Sequence, residues 1–324
     1  MFSFQQILAQ IESEIHRLQL DYPPKSLYDP IEYILSLGGK RIRPALALMA
    51  YNMYQEDLTP AMQPALGIEV FHNFTLLHDD LMDEADKRRH KPTVHKLWNP
   101  NVAILSGDAM LIVAYRLMGE TQAPYLKEVL DLFTQTALEI CGGQQYDMEF
   151  ESRMDVTEEE YLEMIRLKTA VLLACSLKTG ALLGGASPED ADHLYAFGIN
   201  IGLAFQLQDD LLDVYGDTET FGKNIGGDIL CNKKTFLLIN ALKRASESQR
   251  ETLMEWIGKT DYDPLEKIAI FTFIYNELKL EQLVKAKMQD YYQAALAHLE
   301  ALQVAPERLE ELKSVCNQLL YRQS

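Results

Sequence analysis

"IEVFHNFTLLHDDLMD", residues 68–83, runs apolar for most of its length and ends in Asp79, Asp80 and Asp83. On a helix the first and last of these carboxylates are four apart and share a face. Like charges at that spacing cost a helix roughly a few tenths of a kcal/mol, and carboxylates on a buried face cost far more without a counter-charge. Glu84 and Asp86 add to the crowding, and three cations, Lys87, Arg88 and Arg89, follow at once. A single cluster of this kind reads equally well as a solvated helix end. A second copy changes the balance: "FQLQDDLLD", residues 205–213, sets Asp209, Asp210 and Asp213 at the same spacing after another apolar run. Two D-D-x-x-D clusters on apolar helices predict all-oxygen cation sites. With no His or Cys at ligand spacing nearby, such donors select a hard ion, Mg²⁺ above all, held by a few carboxylates together with substrate phosphates.

The rest of the chain predicts helix almost throughout. Residues 277–302 place apolar side chains at 280, 283, 284, 288, 291, 292, 295 and 296, which is helical spacing. Alternating β-branched runs closed by Asn-Gly turns are nearly absent. Length alone favours about two domains, but no Gly/Ser/Pro linker or low-complexity run divides the 324 residues. The sequence therefore reads as one all-α domain spanning 1–324.

Thirty basic against 48 acidic residues leave a net charge of −18, which excludes the basic footprint of a nucleic-acid-binding surface. An anionic small-molecule substrate stays open, since a local cluster of cations can sit in an acidic protein. Cys141, Cys175, Cys231 and Cys316 are scattered without a C-x-x-C pair, as in a reducing compartment. The N-terminus carries Glu12 and Glu14 and lacks a basic n-region. Residues 169–187, the most apolar stretch, contain Lys178 and three Gly, and so do not read as a membrane span. A cytoplasmic protein is the expectation.

Cations to answer the acids are present. "LGGKRIRP" (37–44) offers Lys40, Arg41 and Arg43 beside glycines that allow close backbone approach. Arg88 and Arg89 close the first acidic cluster, and Arg166, Lys168, Lys223, Lys233 and Lys234 surround the second half. Arginine suits phosphate oxygens, and an Arg-Arg pair five residues after Asp83 points to a phosphate ligand.

Taken in order, G-K-x-x-R-P at 39–44, D-D-x-x-D…R-R at 79–89, "KPTVH" at 91–95, "ILSGDAM" at 104–110, "GGQQYD" at 142–147, "KT" at 168–169, "FQLQDDLLD" and "GGDILCNKKT" at 226–235 resemble the trans-isoprenyl diphosphate synthases of the polyprenyl synthetase family. The resemblance covers nearly the whole chain. It implies an all-helical bundle around a deep central apolar cavity, usually as a homodimer, that joins isopentenyl diphosphate to an allylic diphosphate of C5 to C15. It further implies that Asp79, Asp83 and Asp209 hold Mg²⁺, three ions in all, supported by Asp80, Asp210 and Asp213. Lys40, Arg43, His72 and Arg89 match the isopentenyl diphosphate positions. Arg88, Lys168, Thr169, Gln206, Lys223 and Lys233 match those around the allylic substrate. Phe74 and Thr75 stand five and four positions before the first D-D-x-x-D, where the family limits chain growth. Phe74 lies about 7.5 Å along a helix from Asp79, although an ideal wheel sets Thr75 closer to the Asp79 face. A bulky ring at one of two positions, and no two-residue insertion in the first motif, favour a C20 product, with C15 next.

Two other readings start from the same acids. A class I terpene cyclase also ionises a prenyl diphosphate on an α bundle, but the second D-D-x-x-D and "GGKRIRP" argue for a synthase. A silent subunit of a heteromeric synthase would have lost motif residues that this chain retains.

Overall fold

Helical periodicity sorts the chain into amphipathic outer helices and helices that are apolar on every side. The computed structural model describes residues 1–18, 20, 22–216 and 225–320. It opens with α1 (Phe4–Arg17), α2 (Lys25–Ser36), α3 (Ile42–Asn52) and α4 (Thr59–Met82). A two-residue antiparallel hairpin, β1 (Lys87–Arg88) on β2 (Lys91–Pro92), leads through α5 (Val94–Leu97) to α6 (Pro100–Met118) and α7 (Ala123–Ser152). Next come α8 (Glu158–Ile165), a π turn (Arg166–Ala170), α9 (Val171–Gly184) and α10 (Pro188–Tyr215). The remaining α-helices are α11 (Gly227–Leu230), α12 (Phe236–Arg244), α13 (Glu247–Gly258), α14 (Pro264–Glu277), α15 (Leu280–Glu300) and α16 (Glu310–Leu320). The fold is all-α, as the periodicity predicts. The tiny hairpin had no signal in the sequence.

The chain divides into two compact units. The first comprises Met1–Thr134, Cys175–Tyr195 and Leu302–Lys313. Its axis is α4, which is apolar all round and buries residues on every side, as a core helix must. α6 packs along it through small residues: Gly67 of α4 lies where an added Cβ would stand 3.1 Å from the Ala114 carbonyl. α1 is amphipathic by contrast. A Ser3–Gln6 capping box starts it, and Ile7, Ile11 and Ile15 form its buried stripe.

The second unit comprises Gln135–Ala174, Ala196–Ala301 and Ser314–Ser324. Leu207 and Leu211 of α10, Phe236 of α12, Leu253 and Trp256 of α13, and Phe271 and Tyr275 of α14 build its core. Two glycines bring helices against the π turn. A Cβ on Gly143 would stand 2.4 Å from the Lys168 backbone nitrogen, and one on Gly202 would stand 2.5 Å from the Ala170 Cα. Two helical stretches among the described residues are long and apolar enough to cross a membrane by composition: 72% of the most apolar window of Glu158–Gly184 is buried within the protein, and 44% of that of Pro100–Met118.

The glycine contacts yield a paired prediction. Gly143→Ala pushes a methyl into backbone that cannot retreat, and should cost about 1–3 kcal/mol. Gly142→Ala meets nothing within 4 Å, and on a helix it should instead gain about 0.5–1 kcal/mol. Urea midpoints of the two variants should therefore move in opposite directions. Equal midpoints would show that the close crossing is not tight.

Candidate active site

In the first unit the "LGGKRIRP" loop turns through Gly38 and Gly39, at φ 75° and 144°, into Arg41 at φ 44°. Arg41 is 3% exposed, and a buried guanidinium needs acceptors. It donates to Glu12 at 2.9 Å, to Glu69 at 2.7 Å and to the Leu35 carbonyl at 2.7 Å. Asn73 in turn donates to the Glu69 carboxylate. Arg41 is thus a structural cation whose charge is already answered.

Arg43, two residues on, is different. One of its terminal nitrogens lies 3.1 Å from His72 Nε2, and its Nε is buried without a partner among the described residues. Burial pushes the Arg43 guanidinium down to about 10, against the opposing charge of Glu69. Burial, then Arg43, Arg89, Arg88 and Arg41, hold His72 well below the ordinary imidazole range. A neutral His72 therefore accepts from Arg43 through Nε2. Arg89, at φ 51°, lays its guanidinium over Gly39, where a Cβ would come within 2.7 Å of it. Desolvation and then the Arg41 charge lower Arg89, although part of its surface stays exposed. Arg43 and Arg89 thus both bring positive charge to bear on His72, a grouping suited to a phosphate group. Lys40 stands exposed in the same loop.

The first acidic cluster sits where α4 ends. Asp83 falls one residue beyond the helix rather than within it, yet its N–H still donates to the Asp79 carbonyl at 2.9 Å, which preserves the spacing of four. Asp80 points inward at 4% exposure, and Arg88 Nε bonds its Oδ2 at 2.8 Å. Burial raises the Asp80 carboxyl, with Arg88 opposing and Asp79 reinforcing. Arg88, expected beside the allylic substrate, is thus held by Asp80 through its Nε. Asp79 is half-buried and Asp83 exposed. Among the described residues no three carboxylate, imidazole or thiol groups already form a closed metal site. An open, all-oxygen site suits Mg²⁺, which keeps waters and substrate oxygens and needs only one or two carboxylates.

In the second unit α10 carries Gln206, Asp209, Asp210 and Asp213. Gln206 accepts from Thr169 Oγ1 at 3.1 Å and donates to Asp210 at 3.2 Å, so the expected allylic-side residues Thr169 and Gln206 do meet. Tyr161 donates to the other oxygen of Asp210. Asp210 is pushed up to about 7, by burial first and by Asp228 second, while the Tyr161 and Gln206 bonds and Lys233 oppose. Asp213 accepts from the Asp228 N–H at 3.0 Å, so it holds the start of α11. Asp209 stays half-buried. Lys168, on the π turn, donates to Asp147 at 2.6 Å, and Lys233 lies 3.9 Å from the same oxygen. Burial alone would raise Asp147; Lys233 and Lys168 outweigh it and lower the carboxyl below its ordinary value. Lys223 lies outside the described residues.

The sequence reading assigned no role to Glu12, Glu69, Asp147, Tyr161 or Asp228. Asp147 and Asp228 had a signal, as members of "GGQQYD" and "GGDILCNKKT". The roles of the other three become visible only through their partners in space.

The family model for polyprenyl synthetase matches residues 24–274. A short chain isoprenyl diphosphate synthase of Methanothermobacter thermautotrophicus is 39% identical over 305 residues, covering 94% of this chain and 92% of that protein. A crystal structure of a geranylgeranyl pyrophosphate synthase superposes with a TM-score of 0.95 at 43% identity, over 100% of both chains. A geranylgeranyl pyrophosphate synthase from Corynebacterium glutamicum, solved with isoprenyl diphosphate and magnesium, gives a TM-score of 0.84 at 30% identity, covering 98% of this chain and 96% of that one.

Two predictions test the charge assignments. Arg41→Met strands Glu69 in the interior and should cost about 3–5 kcal/mol, read as a large fall in urea midpoint; a midpoint near wild type would mean that Glu69 finds another partner. The second concerns Asp210, raised from 3.8 to about 7. Between those values the folded chain binds more protons than the unfolded one, so stability falls as pH rises and the contribution is gone above about 7. Without divalent ions, Asp210→Asn should flatten the decline of stability between pH 5 and 8. Parallel profiles for the two proteins would refute the assignment.

Proposed function

We infer the activity from kinship and site together: this chain belongs to the polyprenyl synthetase family. It is a trans-isoprenyl diphosphate synthase, a prenyltransferase of isoprenoid biosynthesis that elongates an allylic diphosphate with isopentenyl diphosphate, and the C20 geranylgeranyl product is favoured. The observation that carries the substrate assignment is the pair of positive sites, Arg43–His72–Arg89 in one unit and Lys168–Asp147–Lys233 in the other. Two diphosphate substrates require two such sites.

The isopentenyl diphosphate is held by Arg43, Arg89, Lys40 and the neutral His72. A neutral imidazole matters here, because it leaves Arg43 as donor and adds no proton that the reaction does not use. The allylic diphosphate is held by Lys168 and Lys233, whose positions Asp147 fixes, with Thr169 and Gln206; Arg88 and Lys223 are assigned to the same substrate by the family resemblance alone. Asp79, Asp83 and Asp209 would hold Mg²⁺, three ions in all, and Asp80, Asp210 and Asp213 support them. When bound, Mg²⁺ supplies positive charge to the diphosphate as it leaves carbon. Lys168 and Lys233 add fixed charge where the leaving group becomes more negative, and being pre-placed they need little reorganisation. The allylic carbon, its C–O bond broken, takes the electrons of the isopentenyl double bond. The new cation then loses a proton, and among the described residues no side chain stands out as a dedicated base, which leaves the released diphosphate to accept it.

Product length falls to the turn of α4 that precedes Asp79. The Phe74 ring lies 5.5 Å from Phe71 and 4.8 Å from His78. Phe71 in turn packs on Phe133, and Phe133 on Tyr115. A fixed aromatic row at this depth supports Phe74 as the stop for a C20 chain. Thr75 donates its hydroxyl to the His72 carbonyl at 2.8 Å and presents little bulk. The outer face of α6 exposes Leu105 and Ile112, 59% and 70% open, one pair of heptad-spaced apolar residues. A second copy of the chain covering this face would make the homodimer. The free thiols fit a cytoplasmic enzyme.

The test is direct. Purified protein with Mg²⁺, isopentenyl diphosphate and, separately, C5, C10 and C15 allylic diphosphates should give a C20 product by mass spectrometry. Phe74→Ala should extend it, and an unchanged spectrum would remove Phe74 as the stop. Asp79→Asn should lower kcat by about a hundredfold or more. Folded protein that condenses no primer would overturn the synthase reading.

A further inference from the structure

Lys267, on the first turn of α14, is 0% exposed, and none of the described residues offers it a carboxylate. Burying an ammonium without an anion is costly, and an apolar side chain would pack the site at lower cost. The lysine is kept in place by what its ammonium bonds. Nζ donates to Asn232 Oδ1 at 2.7 Å and to the Leu230 carbonyl at 3.4 Å. It also lies 4.6 Å from the Tyr262 ring centroid and 5.8 Å from that of Phe271, within cation–π range. Tyr262 donates its hydroxyl to the same Leu230 carbonyl at 3.3 Å.

The segment so gripped is the end of "GGDILCNKKT". Asn232 sits at φ 54°, a left-handed conformation that asparagine tolerates but does not favour. Its amide also donates to the Ile257 carbonyl. The next residue is Lys233, whose N–H donates to the Asp228 carbonyl and whose ammonium faces Asp147. A side chain as flexible as lysine can be aimed only if its backbone is fixed. The residue just before it, Asn232, is held in this uncommon conformation, and Lys267 grips that residue.

We propose that Lys267 is a positioning residue: its buried ammonium pins the turn Leu230–Asn232 and thereby aims Lys233 at the allylic diphosphate. The inference rests on the reading of Lys233 as an allylic-diphosphate ligand. It gives Lys267 no contact with substrate, and predicts a defect confined to one substrate.

The experiment compares Lys267→Met, which keeps an unbranched side chain one atom shorter and removes the charge, with Lys233→Met and with the double variant. Each is assayed for KM toward the allylic diphosphate and toward isopentenyl diphosphate, with helix content checked by circular dichroism. Losing a hydrogen bond from a charged donor should raise the allylic KM about tenfold. The isopentenyl KM should stay within about twofold, and the second substitution should add little to the Lys233→Met defect. Asn232→Gly, which keeps the left-handed backbone and removes the acceptor, provides the same test should Lys267→Met fail to fold. It should show the same selective rise. Equal rises in both KM values, or defects that multiply in the double variant, would overturn the proposal. So would a folded Lys267→Met with both KM values unchanged while Lys233→Met is impaired, and that result would leave the Lys233 assignment intact. An unaltered allylic KM in Lys233→Met would overturn both.

Discussion

Carboxylates at the C-terminal end of a helix sit at the wrong pole, since the unpaired carbonyls already make that end negative. This protein accepts that arrangement twice. α4 ends on Asp79, Asp80 and Asp83 with no basic residue in its last turn, and α10 carries Asp209, Asp210 and Asp213 within two turns of its end. The repulsion so created organises what surrounds it. Arg88 returns through the hairpin to meet Asp80, and Tyr161 and Gln206 solvate Asp210 from within the second unit. In each cluster the middle aspartate faces the protein and takes these partners. The first aspartate of each stays half-open, which is the division of labour an incoming cation needs.

The same local rules explain how much could be read from the chain alone. Helices, acidic motifs and candidate cations depend on spacing of a few residues, and spacing is printed in the sequence. Charge compensation is not. Arg41 and Arg43 are two residues apart in one motif and look interchangeable, yet one is answered by Glu12 and Glu69 while the other has a buried nitrogen with no partner among the described residues. The left-handed backbone at Arg41 turns the first guanidinium inward, and it depends on carboxylates 29 and 28 residues away in sequence. Asp147 was visible inside a motif, but its task of bridging Lys168 and Lys233 is defined by residues 21 and 86 positions along the chain. Asp213 repeats the motif spacing of Asp83, and only the structure shows that it accepts from the Asp228 N–H. Where a role is fixed by distant partners, a motif identifies the residue and leaves its role open.

Arginine and lysine are distributed in keeping with their chemistry. On the proposed assignment, the isopentenyl side uses Arg43 and Arg89, planar forks whose charge survives burial, around a histidine kept neutral by its neighbours. The proposed allylic side uses Lys168 and Lys233 around a single aspartate, with one net positive charge to offer a departing diphosphate. Rigid cations would then hold the substrate that keeps its diphosphate, and more compliant ones would meet the substrate that loses it.

The π turn at Arg166–Ala170 adds one residue to the helical ladder that joins α8 to α9. Side chains before and after it are therefore out of phase by roughly 100° relative to an unbroken α-helix. The two halves can each keep an apolar stripe against their own neighbours, while Lys168 and Thr169, at the phase change, need follow neither stripe. Residues released from packing in this way are available for chemistry. The extra residue acts as a register shim: a one-residue deletion there would restore an unbroken helix and turn one of the two apolar stripes away from its neighbours by roughly 100°.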